Sequence, residues 1–170
     1  MNERTFRVLE YNKIKDLLRN QVTSNLTKEL VDKLKPSSDF NEVQGLLREI
    51  SEAANLMIQK GSVPIGPIYD LSRHLKMAEI GSYLYPSQLL EVSDTLRTAR
   101  VLKKFIKGSD GDNERFPILQ DYVSNLSTYK HIEDRINEAI IGEDEISDNA
   151  SSTLRNIRKK IENKNNAIRS

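Results

Sequence analysis

Apolar residues along this chain recur at three-, four- and seven-residue steps almost throughout, which places them on one side of an α-helix. Sustained alternation, the mark of a half-buried strand, is missing from the pattern. The two candidate strands, 63–65 and 145–147, are too short to found a sheet. Composition points the same way. Charged residues make up 30% and apolar ones 37%, aromatics are only 6%, Trp is absent and there are seven glycines. A sheet-rich fold would use more β-branched and aromatic residues and more glycine turns. The spacing predicts an all-α fold, an elongated bundle of about seven helices with much exposed surface.

Local signals place the helices. Phe6 and Leu9 suggest a short N-terminal turn leading into a helix near 10–22 that carries Ile14, Leu17 and Leu18. Ser24 is a cap for a second helix with Leu26, Leu30, Val31 and Leu34, closed by Pro36. Asp39, with Glu42 three residues on, resembles a capping box. The helix it opens is expected to bury Val43, Leu46, Leu47, Ile50, Ala53, Ala54 and Met57, and Gly61 ends it. Two prolines and two glycines in 61–67 forbid a helix there. Helical spacing resumes near Tyr69 and stops at Gly81; Pro86 suits the first position of the next helix, which runs to Gly108. Residues 108–115 read as a polar loop expected to be mobile. Shorter helices follow over 116–126 and 130–140, then an acidic turn over 142–149.

The final stretch carries Leu154, Ile157, Ile161 and Ile168 as one apolar stripe, with no glycine or proline to stop it before Ser170. The expectation is a helix that continues into something longer. Its cations, Arg155, Arg158, Lys159, Lys160, Lys164 and Arg169, face a single acid, Glu162, so the segment is basic by about five charges. Cations near a helix C-terminus complement the macrodipole, and phosphate contact is the functional alternative. Arg155, Arg158, Lys159, Lys160 and Lys164 are therefore the candidate nucleic-acid-binding residues. Lys103, Lys104 and Lys107 form a smaller basic helix end that the dipole explains.

Other chemistry finds little support. Cysteine is absent, which excludes disulfides and thiolate metal sites and fits a reducing cytosol. The charged start offers no signal peptide, and no apolar run is long enough to span a membrane. The net charge of +1 gives no whole-chain attraction to nucleic acid. Glu143, Asp144, Glu145 and Asp148 lack the spacing of a calcium loop and read as an exposed turn, in which Asp148 or Ser151 caps the final helix. His74 and His131 stand far apart and read as partly exposed helix residues. Neither a nucleophile elbow nor a phosphate-binding glycine loop is present.

Several blocks together resemble the N-terminal region of the bacterial MutS-two family, the MutS paralogues with a C-terminal Smr domain. The opening Leu9-Glu10-Tyr11-Asn12-Lys13-Ile14 is similar to that family's Leu-Glu-aromatic-x-Lys-Ile start. Leu34-Lys35-Pro36 with Asp39, Val43, Glu49, Glu52 and Ala53 resembles a second block. Pro64-Ile65, Asp70, Ala78, Gly81, Leu84, Pro86, Leu89-Leu90 and Leu96-Arg97 resemble the middle one. Ile146-Ser147-Asp148-Asn149-Ala150-Ser151, with Leu154 and Ile157-Arg158, is the most specific. Tyr85 departs from the family's frequent Ser before the proline, and Gly142-Glu143-Asp144-Glu145 departs from its usual turn.

The resemblance implies that residues 1–150 are the N-terminal half of a helical core and lever domain. Residues 151–170 would begin a long helix toward a coiled-coil-like clamp arm. It implies a parent with an ABC-type ATPase domain, a homodimer that uses ATP and Mg outside these residues, and a C-terminal endonuclease. Such parents are cytoplasmic and are associated with branched DNA, suppression of recombination and splitting of collided ribosomes. The segment itself would hold no catalytic, cofactor or metal residue, its first partners being the other domains of the same polypeptide. Two alternatives stand beside this: an independent DNA- or rRNA-binding module using the basic final helix, and a helical oligomerisation adaptor.

Overall fold

A computed structural model describes residues 3–22, 24–108 and 115–169. Nine α-helices occur among them: α1 Glu3–Val8, α2 Tyr11–Gln21, α3 Asn25–Lys33, α4 Phe40–Lys60, α5 Ser72–Glu79, α6 Pro86–Lys107, α7 Pro117–Ser124, α8 Lys130–Ala139 and α9 Ser152–Arg169. The fold is all-α, as the spacing predicted. The count exceeds seven partly because the N-terminal turn is itself a helix, α1. A small antiparallel hairpin joins β1 Ile140–Gly142 to β2 Glu145–Ile146, pairing Ile140 with Ile146 and Gly142 with Glu145. A 3-10 turn, Asp148–Ala150, precedes α9. Most of the polar loop expected over 108–115 lies outside the described residues.

The local signals act as their chemistry requires. Ser24 Oγ accepts the Thr27 amide at 3.1 Å, and Asp39 accepts those of Asn41 and Glu42 at 2.8 and 3.2 Å. The second arm of the expected box is redirected: Glu42 takes the Ser37 hydroxyl instead of returning to Asp39. Ahead of α6 the reverse holds. Tyr85 offers no side-chain cap, but Gln88 Oε1 accepts the Tyr85 amide at 2.9 Å, so half of a box survives. Gly61 stops α4 with φ 81°, a backbone that costs glycine little.

The chain forms two compact units, Met1–Tyr69 with Val101–Leu126, and Asp70–Arg100 with Ser127–Ser170. In the first, Leu56, Ile106, Phe116 and Val123 make the core, with Leu102, Phe105, Leu119 and Leu126 against it. The side of α4 that turns inward is not the one expected. Leu46, Leu47, Ile50 and Met57 are exposed, whereas Glu52 and Leu56 are buried. The reason lies in α7. Its N-cap residue, Phe116, has no capping side chain, and both Glu52 carboxylate oxygens accept the Ile118 amide at 3.0 Å.

The same unit satisfies other helix ends from a distance. Lys60 Nζ donates to the Phe105 carbonyl at 3.1 Å and Gln120 Nε2 to that of Ile106 at 2.7 Å, at the C-terminus of α6. Lys103, expected to serve the dipole of its own helix, donates instead to the Leu126 carbonyl after α7.

In the second unit, α6 and α8 meet through polar pairs. Arg100 Nε and Nη2 grip the Glu133 carboxylate at 2.8–3.1 Å, and Ser93 Oγ donates to Asn137 Oδ1 at 3.1 Å. His74 corrects the expectation of partial exposure. It is buried, with Nε2 3.0 Å from Glu91 Oε2, though not aligned as a hydrogen bond. His131 is exposed, as expected.

Candidate nucleic-acid interface on the final helix

The five candidate cations all lie on α9, whose root is built from the block of residues 146–151. After the hairpin, the Ser147 amide donates to the Ala139 carbonyl at 2.8 Å, tying this segment back to α8. Ser147 Oγ accepts the Asn149 amide at 3.1 Å and opens the 3-10 turn. Ser151 Oγ then accepts the Leu154 amide at 3.0 Å. Of the two caps considered from sequence, Ser151 performs the task. Asp148 does something else: it pairs with Arg158.

That pairing removes residues from the candidate surface. Arg158 Nη1 donates to the Ile146 carbonyl at 3.0 Å as well as to Asp148, and Arg155 donates to Asn149 Oδ1. Both arginines fold back on the turn at the root of their own helix. Lys159, Lys160 and Lys164 are exposed and form no ion pair among the described residues. Helical geometry separates the set further. At about 100° per residue the five cations spread over an arc of roughly 240°, so no single face presents them together. Lys160 and Lys164, one turn apart, lie beside the apolar stripe of Ile157, Ile161 and Ile168, while Arg155 and Lys159 point away from it.

An open groove of about 430 Å³ runs beside α4, lined in part by Leu47, Arg48, Ser51, Glu52, Asn55 and Ile118. Its buried carboxylate, Glu52, is the acceptor for α7. Among the described residues no three His, Asp or Glu side chains converge as metal ligands, and no helix is long and apolar enough to cross a membrane. The Glu52 bond to Ile118 and the hooks of Arg155 and Arg158 were missed from sequence. A helix start with no capping residue of its own, at Phe116-Pro117, was the available signal for the first.

Fold and surface together define an all-α protein with polar anchors at its helix ends, exposed apolar side chains and a cationic, amphipathic final helix. Comparison with known proteins makes this specific. The chain is 49% identical over 169 residues to the protein of Alkaliphilus oremlandii named Endonuclease MutS2, a match covering 99% of this chain and 21% of that protein. It is 48% identical over 170 residues to the protein of the same name from Clostridioides difficile, and 42% identical over 169 residues to that of Acetivibrio thermocellus. The chain belongs to the MutS2 family. It spans about a fifth of the length of these curated relatives (21–22%). No protein-family model matches it.

Proposed function

We propose that these residues are a core and lever segment of a larger MutS2 protein, a helical body that couples an ATPase to a clamp without performing chemistry. The observation that carries this is the unbroken similarity over 99–100% of the chain to relatives about five times its length. The exposed faces of α2, α4 and α9 support it. Leu17, Leu47, Ile50, Met57 and Ile161 are each about half exposed or more, apolar side chains that a further part of the polypeptide could cover.

On this proposal the parent is a cytoplasmic homodimer. Its ATP and Mg sites and its endonuclease domain lie in other parts of the polypeptide, and its substrates are branched DNA, recombination intermediates or collided ribosomes. The name of the relatives, Endonuclease MutS2, supports the endonuclease part. The remaining roles follow from the family resemblance. These residues contribute no nucleotide or metal chemistry in this scheme. Their part is to hold α9 at a set angle to the body through the 146–158 joint.

A polypeptide continuing past Ser170 through the clamp and back to the core should melt several degrees above the 170-residue chain, as its return segment covers the apolar faces. An unchanged Tm would mean that the 170 residues are self-sufficient and the proposal is wrong. A second reading, nucleic-acid contact by α9, is favoured by Lys159, Lys160 and Lys164, which form no ion pair among the described residues. It is weakened by their spread around the helix, and a negative slope of log affinity against log salt would support it.

A further inference from the structure

The apolar side of α9 has its own charge chemistry. Ile157, Ile161, Lys164 and Ile168 follow one another at steps of four, three and four residues. At about 100° per residue they fall within an arc of roughly 60°, which is the seam of a coiled coil with a lysine at one seam position. The three isoleucines are 50%, 54% and 82% exposed. Lys160 flanks the seam on one side. On the other, Arg158 is drawn toward Asp148 at the root.

Such a seam is apolar enough to pair and too cationic to pair with itself. The segment carries six cations against Glu162 alone, so a second copy would set like charges against each other. An ammonium closed between apolar surfaces without a partner is strongly unfavourable, and a carboxylate reaching it from the facing helix removes that cost.

We infer that α9 is covered by an α-helix whose apolar seam is flanked by carboxylates, one of them meeting Lys164, supplied from elsewhere in the same longer polypeptide. This rests on the segment proposal above and names the chemistry of the missing contact. Lys164 then fixes the register, because a slide by one heptad would strand it against an apolar residue.

The test uses the 170-residue chain and two fluorescein-labelled helical peptides about three heptads long. They share one apolar seam and differ only in carrying Glu or Lys at the flanking positions. The Glu peptide should bind about ten-fold more tightly than the Lys peptide at low salt, and the K160E/K164E chain should reverse that order. Lys164→Leu, at an exposed position, should keep the fold and shrink the preference.

Equal binding of both peptides, no binding by either, or an unchanged order in K160E/K164E overturns the inference. So does concentration-dependent self-association of the chain, or binding of duplex DNA or RNA that alone responds to these lysines. If the longer polypeptide melts higher while the peptide preference is absent, the charge assignment fails and the segment proposal stands. If the preference is seen but the longer polypeptide gains no stability, the segment proposal fails and with it the source of the helix within the same polypeptide, while the charge assignment stands.

Discussion

The two compact units bury opposite kinds of side chain. Among the described residues, the first buries Val31, Leu56, Ile106, Phe116 and Val123 with a single polar group, Glu52. The second buries Ile136 and Ile140 with four, His74, Ser93, Thr98 and Glu133. In the first unit polar groups serve helix ends: Glu52 supplies α7, and Lys60 and Gln120 supply α6. Orphan amides and carbonyls are satisfied there while the middle of each helix packs through apolar atoms. In the second unit polar groups meet between helices, Arg100 with Glu133 and Ser93 with Asn137. Apolar burial is tolerant of sliding, whereas a bidentate guanidinium–carboxylate pair accepts one alignment. The first unit is therefore held by area and the second by register.

Truncation should separate the two most sharply. Phe116 is 1% exposed and lies at the centre of the first core. Phe116→Ala should cost about 3–5 kcal/mol, read from denaturant unfolding, because it leaves a cavity the neighbours fill only in part. A loss under about 1 kcal/mol would mean that the first unit does not depend on apolar packing. The matching change in the second unit is Glu133→Ala, which strands a guanidinium. Glu133 is 3% exposed, but the Arg100 side chain is 32% exposed and water compensates part of the loss. The cost should be about 2 kcal/mol. The double variant Arg100→Met with Glu133→Leu should recover most of that stability while loosening the α6–α8 register, visible as faster amide exchange in α8. If the double variant is as unstable as Glu133→Ala and its exchange is unchanged, the pair contributes stability and not alignment.

Much of this architecture was legible because it is written in neighbouring residues. Ser24, Asp39, Gly61, Pro86 and Ser151 punctuate helices within four positions of themselves, and the structure uses all five. What sequence could not supply was the partner of each stripe. Periodicity located an apolar side of α4, yet the helix turns toward Glu52 and Leu56, whose partners, the Ile118 amide and the Phe116 core, lie some 60 residues onward. The same holds for His74, buried beside Glu91 of the next helix. At the candidate site all five cations could be named, but not that Arg158 reaches back ten residues to Asp148. A basic residue following an Asp-rich turn at that spacing serves phosphate or its own joint equally well until the backbone is traced.

The smallest effect sharpens the comparison by acting on the second unit alone. The Asp70 carboxylate accepts the Ser72 amide at 3.0 Å at the entrance to α5. The Ser72 side chain and backbone together, aided by the nearby His74 and the Lys76 ammonium, hold its pKa below the ordinary 3.8. A carboxyl lowered by folding stabilises the native state above its unfolded pKa, where the unfolded chain too is ionised. That contribution is lost as pH falls through the folded value, because protonation then removes the acceptor. Wild type should therefore lose stability more steeply than Asp70→Asn only below about pH 4, with the two curves parallel above it. Asp70 is fully exposed, so solvent keeps the difference small. Chemical-shift titration of α5 amides is the sensitive readout, since local loosening of α5 should precede any change in the Phe116 core. Simultaneous loss in both units would show that acid acts on the chain as a whole and that the carboxylate at the α5 entrance has no separate role.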